Sequence, residues 1–426
     1  MNYNFYKWRV WTILAISFVM SLFHRGAVGV ISGDLSRDLG LTATELGNVA
    51  SITFYTYAFM QIPAGLLLDY FGYKKISYYG ALTTGIGSIL LGIASNATMA
   101  YGGRILVGLG TSVIFISVLK AQTIWFKKDD FTKASGKLSF IGNLGGVIAT
   151  FPLAILVSFM GWRAAVILMG SICVLIAIVI KFYVKNSPRE YGFEPQGIEL
   201  KSIKIDVFKA IKQVLKLKAT WRNFFILFTL VGCTTTITGL WGINYLNTVY
   251  ELSTTKASFY VAFIVYGLVC GSLFVDKATM IFKKNIIIYP RIAAILNSVF
   301  WIYILFIRKG MPTLVELSVI FFFIGFFAMA HIVAFTDINN YCNIENSGLA
   351  SSIVNSGEFI GSSIISLIIG FILDLGWNGN IIDGIRVYSK SQYIGSFYIF
   401  IIISLVGVVV TFIGKEEKSK IKGDVH

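Results

Sequence analysis

The chain has 426 residues, of which 56% are hydrophobic and only 13% charged, with a formal net charge of +15. A soluble domain carries about 25% charged residues, so this composition excludes an ordinary soluble enzyme, a secreted disulfide scaffold and a disordered protein. Twelve spans of roughly 21 residues need about 250 positions, and the length accommodates them with loops to spare.

In chain order, apolar runs long enough to cross a bilayer begin near Arg9, Leu46, Ile76, Ala100, Ala134 and Ala164. A second set begins near Trp221, Ala257, Ile286, Leu314, Leu349 and Tyr393. The pattern predicts an all-α polytopic membrane protein with twelve transmembrane helices. The first run follows Lys7 and Arg9 and continues into His24-Arg25, with no small-residue cleavage site, so it reads as a retained helix. Links are short except for a basic stretch at 185–219. The expected organisation is an N-terminal six-helix bundle at 1–184, a cytoplasmic linker at 185–219, a C-terminal six-helix bundle at 220–414 and a cytoplasmic tail at 415–426.

Lysines and arginines gather on one side of this topology. They include Lys7, Arg9, Lys74, Lys75, Lys127, Lys128, Lys133 and Lys137, then the central link through Arg222, then Lys277, Lys283, Lys284 and the tail. Cytoplasmic loops retain positive charge, so both termini are expected in the cytoplasm, with the chain in a bacterial inner membrane. The basic excess is a topology signal, and no nucleic-acid partner follows from it. Cys173, Cys233, Cys270 and Cys342 lie in or beside apolar runs without paired spacing, as packing residues.

The two halves repeat. Gly142, Gly146, Gly161 and Trp162 recur as Gly357, Gly361, Gly376 and Trp377, each 215 residues later. GLLLDYFGYKK at 65–75 is echoed by GSLFVDKATMIFKKN at 271–285, each with a glycine, an aspartate and a lysine pair. Repeated halves predict two pseudo-symmetric bundles, with a substrate site near the midplane and rocking that gives alternating access.

GLLLDYFGYKK resembles the loop signature of the major facilitator superfamily, with Tyr70 and Lys74 where that signature usually has basic residues and arginine. YGGRILVGLG, containing Arg104, resembles the family's fourth-helix arginine motif, and GWR at 161–163 resembles the end of its fifth helix. YAFMQIPAGLLLDYFG is similar to bacterial nutrient importers, including the phagosomal nutrient transporter and organic-anion branches. The resemblance implies a secondary transporter. It gives Asp69, Lys74 and Lys75, with Arg104 and the echoed Asp276, gating roles. A carboxylate at Asp69 can also cap a neighbouring helix and pair with basic residues while a gate is closed.

Charges within the spans each need a reason, since one at the bilayer centre costs about 2.5–3.5 kcal/mol. Arg25 lies deep in span one on a stripe with Ser17, Ser21 and Ser32, a face expected to meet a wet cavity. Its guanidinium fork matches a carboxylate or phosphate, though a structural ion pair would also explain it. His24 beside it reads as a neutral packing ring with one hydrogen bond. Glu358 falls mid-span in VNSGEFIGSS, sharing a face with Asn355 and Ser362 and standing at the repeat position of Asn143. A carboxyl there can take up and release a proton as its surroundings alternate, or it can pair permanently with a cation such as Arg25. His331 either relays protons with Asp337 or packs. Lys120 either snorkels or lines the inner mouth of the cavity.

Tyr55, Tyr57 and Gln61 of span two can line a solute cavity, and Trp241 with its polar neighbours in span seven can form the opposing wall. The predicted substrate-binding set is therefore Arg25, Tyr55, Tyr57, Gln61, Lys120, Asn143, Trp241 and Asn355, with Glu358 and His331 for proton coupling. The reading is a proton-coupled importer of a small carboxylate-bearing solute: an amino acid, an organic acid or a sugar phosphate. An exporter of drugs or of an anionic metal chelator is the alternative. A membrane enzyme is disfavoured, because with three histidines, one of them His426, no HExxH pair is possible. A transport-inactive sensor lacks room for a signalling domain. Partners are the solute, protons and the lipid bilayer, with no cofactor or metal and a monomer as the working unit.

Overall fold

A computed structural model describes residues 2–197, 207–283, 285–342, 346–382 and 385–413. Lys284, part of the linker and the expected tail at 415–426 lie outside the described residues.

Helix α1 (Tyr3–Leu39) starts where the Asn2 side chain accepts the Asn4 N–H and stops at Gly40, whose φ of 64° is left-handed. Helix α2 (Ala43–Gly92) opens with a capping box, in which Thr42 and Glu45 each accept the other's backbone N–H. It breaks at Gly72, with φ 78° and ψ 158°. There a Cβ would stand 2.7 Å from the Asn186 carboxamide, and only glycine fits both the angle and the space. Then come α3 (Ala97–Ser112), α4 (Ile114–Trp125), α5 (Lys128–Ile148) and α6 (Phe151–Tyr183). Gly161, at φ 77° and ψ 159°, breaks α6 in the same way.

A short helix, α7 (Val207–Leu215), precedes α8 (Lys218–Thr236), which passes through a π-turn at Ile237–Trp241 into α9 (Gly242–Val249). There follow α10 (Thr254–Ile281), α11 (Ile288–Ile302), α12 (Leu314–Ala328), α13 (Ile332–Asn339) and α14 (Ser347–Leu375). A two-stranded antiparallel ribbon, β1 (Ile381–Ile382) with β2 (Ile385–Arg386), leads to α15 (Lys390–Ser396) and α16 (Tyr398–Val410).

Nine helical stretches among the described residues are long and apolar enough to cross a membrane. One of them, Lys133–Tyr183, holds two crossings on either side of Gly161. Helix α2, broken at Gly72, supplies two more, which completes the expected twelve.

The chain forms two compact units. The first comprises Met1–Gly40 and Ile52–Ile203, and the second comprises Leu41–Ser51 and Lys204–His426. The first three turns of α2 thus pack with the second unit. In the first unit Trp11, Leu14, Val118 and Trp125 are buried together, and the Trp125 indole donates to the Tyr73 hydroxyl at 2.8 Å. In the second, small residues let backbones approach. A Cβ at Gly357 would stand 2.2 Å from the Phe224 carbonyl, and one at Gly361 would stand 2.5 Å from that of Phe228. The repeated glycines therefore seat α14 on α8, as small contact residues rather than a phosphate loop.

Candidate functional site

In the first unit three helices converge around Arg25. The half-buried side chain on α1 places its guanidinium carbon 4.6 Å from the centre of the Tyr57 ring on α2, and Tyr57 is itself buried. Arg104 on α3 is 1% exposed, and its Nη1 donates to the His24 carbonyl at 3.1 Å. The Arg104 carbonyl in turn accepts from Thr53 Oγ1 of α2 at 3.1 Å. Arg104 therefore ties α1 one residue before Arg25 and α2 one turn before Tyr57. Buried inside the unit, it braces the backbone beneath the Arg25–Tyr57 pair. His24 is buried, with Nδ1 2.8 Å from the Met20 carbonyl.

The serine stripe does not stay with Arg25. Ser17, Ser21 and Ser32 are buried, and Ser21 donates to the Thr111 carbonyl at 3.4 Å. Ser17 and Ser21 line a cavity of about 10 Å³ with Thr84 and Thr111, about the size of one water. Each four-residue step turns about 40° around a helix, so two steps separate Ser17 from Arg25 by about 80°. That is enough to point them at different neighbours. Gln61 and Asn143 are half-buried, and Tyr55 is exposed.

At the loop signature the structure names the basic partner of Asp69. Asp69 pairs with Lys120 of α4, Nζ to Oδ1 at 2.8 Å, rather than with the lysines that follow it in sequence. The long stem of Lys120 lets its ammonium reach the end of α2. The Lys74 backbone N–H donates to Asn186 Oδ1 at 2.8 Å, and Lys75 Nζ lies 4.6 Å over the Phe71 ring. Asp276 is exposed on α10.

In the second unit Asn355 and Glu358 are half-buried on α14, and Ser362 turns inward to donate to the Glu358 carbonyl at 2.9 Å. Trp241, expected on a cavity wall, is fully buried instead. Its indole N–H donates to the Ser366 carbonyl at 3.1 Å and to the Ser366 hydroxyl at 3.0 Å. The π-turn that ends at Trp241 adds a residue to one turn and rotates the ring into the unit. His331 Nδ1 lies 2.8 Å from the Ala328 carbonyl. Asp337 is not its relay partner: Asp337 Oδ2 accepts from Arg222 Nη2 at 2.5 Å and from Asn223 Nδ2 at 2.8 Å. Arg222, counted in the sequence among the basic charges of the central link, is buried in this cluster.

A second feature of this unit escaped the sequence reading. The first turns of α2 lie on α14, where Ser51 and Ser363 each donate to the other's carbonyl at 3.2 and 3.3 Å. Asp374 closes the contact by accepting the backbone N–H groups of Ala43 (3.3 Å) and Thr44 (2.8 Å), with Arg386 at 3.5 Å. A carboxylate at a helix N-terminus meets its unsatisfied donors and its dipole. Tyr388 donates to the same carboxylate, and burial, then that hydrogen bond, pushes the phenol well above its ordinary range. It remains a protonated donor. The clue in the sequence was Asp374 two residues before the repeated Gly376-Trp377.

Residues 14–339 match the profile of the Major Facilitator Superfamily. The uncharacterized transporter YybO of Bacillus subtilis is 24% identical over 87% of this chain and 88% of its own length. The probable galactarate/D-glucarate transporter GudP of Bacillus subtilis is 24% identical over 85% of this chain and 86% of its own length. The probable sulfoacetate transporter SauU of Cupriavidus necator is 27% identical over 50% of this chain and 49% of its own. Among solved structures, a bacterial homolog to the human lysosomal transporter Spinster, inward-facing and unoccupied, superposes with a TM-score of 0.78. It is 15% identical and covers 96% of each chain, a likeness of fold.

Proposed function

Because the chain belongs to the Major Facilitator Superfamily, and is thus a secondary transporter and a multi-pass integral membrane protein, we propose that it imports a small organic anion coupled to protons. The observation that carries this reading is the Arg25 guanidinium held mid-span against the Tyr57 ring. The planar fork of an arginine meets a carboxylate or phosphate through two parallel hydrogen bonds. The Tyr57 face orients the fork, and Arg104 fixes the backbone on which it stands. Substrates carried by similar proteins point to the same chemistry. The names of those relatives give sulfoacetate, galactarate/D-glucarate and, for a Chlamydia trachomatis protein, hexose phosphate, all anions.

Glu358 is assigned the proton. A half-buried carboxyl on α14 gains and loses a proton as its surroundings alternate between wet and dry, and His331 is held as a second candidate. Gln61, Asn143 and Asn355 are assigned to reading the solute's shape, and Asp69 with Lys120 to gating at the loop signature. The Asp374 contact with the start of α2 is assigned to the opposite gate, opening once per cycle of alternating access. The charge bias supports a bacterial inner membrane with both termini on its cytoplasmic side.

The test is ligand-induced thermal stabilisation of the purified protein, followed by uptake into proteoliposomes under an imposed pH gradient. A solute at a hundred times its dissociation constant stabilises by about 2.7 kcal/mol. Dicarboxylates, sulfonates and sugar phosphates are expected to stabilise wild type and to leave folded Arg25→Gln unmoved. Glu358→Gln is expected to bind solute yet lose gradient-driven uptake. Stabilisation by cationic or neutral compounds alone, or an identical response from Arg25→Gln, would make Arg25 structural and end the anion reading.

A further inference from the structure

We propose that the outer face of α1, at the end carrying Lys7 and Arg9, binds one anionic phospholipid. A groove of about 560 Å³ runs along this face, lined by Asn4, Phe5, Trp8, Arg9, Thr12 and Ile13. The spacings of four and three put these residues on one side of the helix. Phe5 and Trp8 are 56% and 38% exposed, and Ile16 continues the apolar strip one turn further along the span. Such a strip on a membrane-crossing helix matches an acyl chain.

The mouth of the groove is cationic. The Arg9 guanidinium carbon lies 4.6 Å from the Tyr6 ring and 5.5 Å from the Tyr191 ring, and Nη2 donates to the Tyr191 hydroxyl at 3.2 Å. Its Nε is buried without a hydrogen-bond partner among the described residues. On the other bank, exposed Lys137 holds its ammonium 4.9 Å over the Trp8 ring. Among the described residues neither cation has a carboxylate partner.

Two cations bracketing an interfacial tryptophan, with an apolar strip below, match a phosphodiester headgroup and its chain. Among the described residues the groove lining contains no aspartate or glutamate to receive the ammonium of a zwitterionic lipid. An anionic headgroup, such as phosphatidylglycerol, is therefore the complement. Its occupancy would hold the end of the helix that carries Arg25, sixteen residues or about 24 Å along the same rod.

Native mass spectrometry of the full-length detergent-purified protein, titrated with phosphatidylglycerol or phosphatidylcholine, tests this. Wild type is expected to retain one phosphatidylglycerol in preference to phosphatidylcholine. Lys137→Gln, at an exposed position that leaves folding intact, should weaken that binding about fivefold, and adding Arg9→Gln should remove a further factor of about five. Lys181→Gln, a cation elsewhere on the basic side, should leave the preference unchanged. Equal retention of the two lipids by wild type overturns the proposal. So does an unaltered preference in Lys137→Gln, or an equal loss in Lys181→Gln, which would reduce the effect to net charge.

Discussion

Lys7 and Gln122 of the first unit stand 215 residues before Arg222 and Asp337 of the second, the same offset that relates the repeated glycines. All four are buried. In the second unit they meet as a guanidinium and a carboxylate at 2.5 Å, with Asn223 also on Asp337 and the Ile413 carbonyl taking Arg222 Nη1 at 3.2 Å. In the first unit the cation faces rings instead. Lys7 Nζ lies 5.1 Å from the Phe126 centre and 5.9 Å from those of Tyr3 and Trp8. Gln122, at the carboxylate's position, is neutral and accepts from Ser135 at 3.0 Å. A duplicated scaffold has thus satisfied one buried position by ion pairing and its counterpart by an aromatic cage and an amide.

The two solutions differ in what a single substitution does. Asp337→Leu strands a buried guanidinium, and breaking a buried pair from one side costs about 3–5 kcal/mol. We expect a loss of that size in equilibrium unfolding in mixed micelles, the largest effect in the molecule outside the core. The double variant Arg222→Met/Asp337→Leu removes both charges and should recover most of it, because desolvation of a buried pair offsets much of its attraction. A single variant near neutral, or a double variant as damaged as the single, would deny that the pair acts as one unit.

Lys7→Met is the matching change in the first unit. It keeps the stem and loses only the cation–π contacts, worth up to about 2 kcal/mol when desolvated, while relieving the ammonium of a burial penalty that offsets them. The expected destabilisation in the same assay is less than about 1 kcal/mol. A loss rivalling that of Asp337→Leu would mean that the cage holds its charge as firmly as a carboxylate does, and the contrast between the units would collapse.

Much of this arrangement could be read in advance, and the gaps have a common cause. The twelve crossings follow from apolar run length, and the repeated Gly357 and Gly361 marked a close helix contact whose partner, α8, only the structure names. Asp69 was singled out by its loop, but its partner Lys120 comes from a helix 51 residues away, at no spacing a pattern could flag. Arg222 was counted as a loop charge because it lies beside a basic link, and only packing shows it facing Asp337. Trp241 was nominated with its polar neighbours for a cavity wall, and only packing shows its ring buried with its N–H on Ser366. Run length and repetition are local or periodic signals. The choice of partner for a buried polar group is neither, and Arg25 with Tyr57 could be nominated separately but not joined.

The smallest effect belongs to an ion pair at the surface of the second unit. Lys390 and Glu251 meet at 2.9 Å, with side chains 47% and 77% exposed, so the contact has the chemistry of Arg222–Asp337 without its burial. The hydrogen bond from Lys390, then its charge, holds the Glu251 carboxyl below its ordinary value of 4.5. A depressed carboxyl stabilises the fold above its unfolded value, and that contribution is lost as pH falls through the folded one. Glu251→Gln should therefore be slightly less stable than wild type at neutral pH, and the two should converge as acidification from about pH 5 to about pH 3 removes the wild-type contribution. In 1 M salt, where screening acts over about 3 Å, even that difference should vanish, while the cost of Asp337→Leu should persist because water and ions do not reach it. Salt erasing both effects would show that burial is not what separates the two pairs. A Glu251→Gln loss that survives 1 M salt would show the same from the other side.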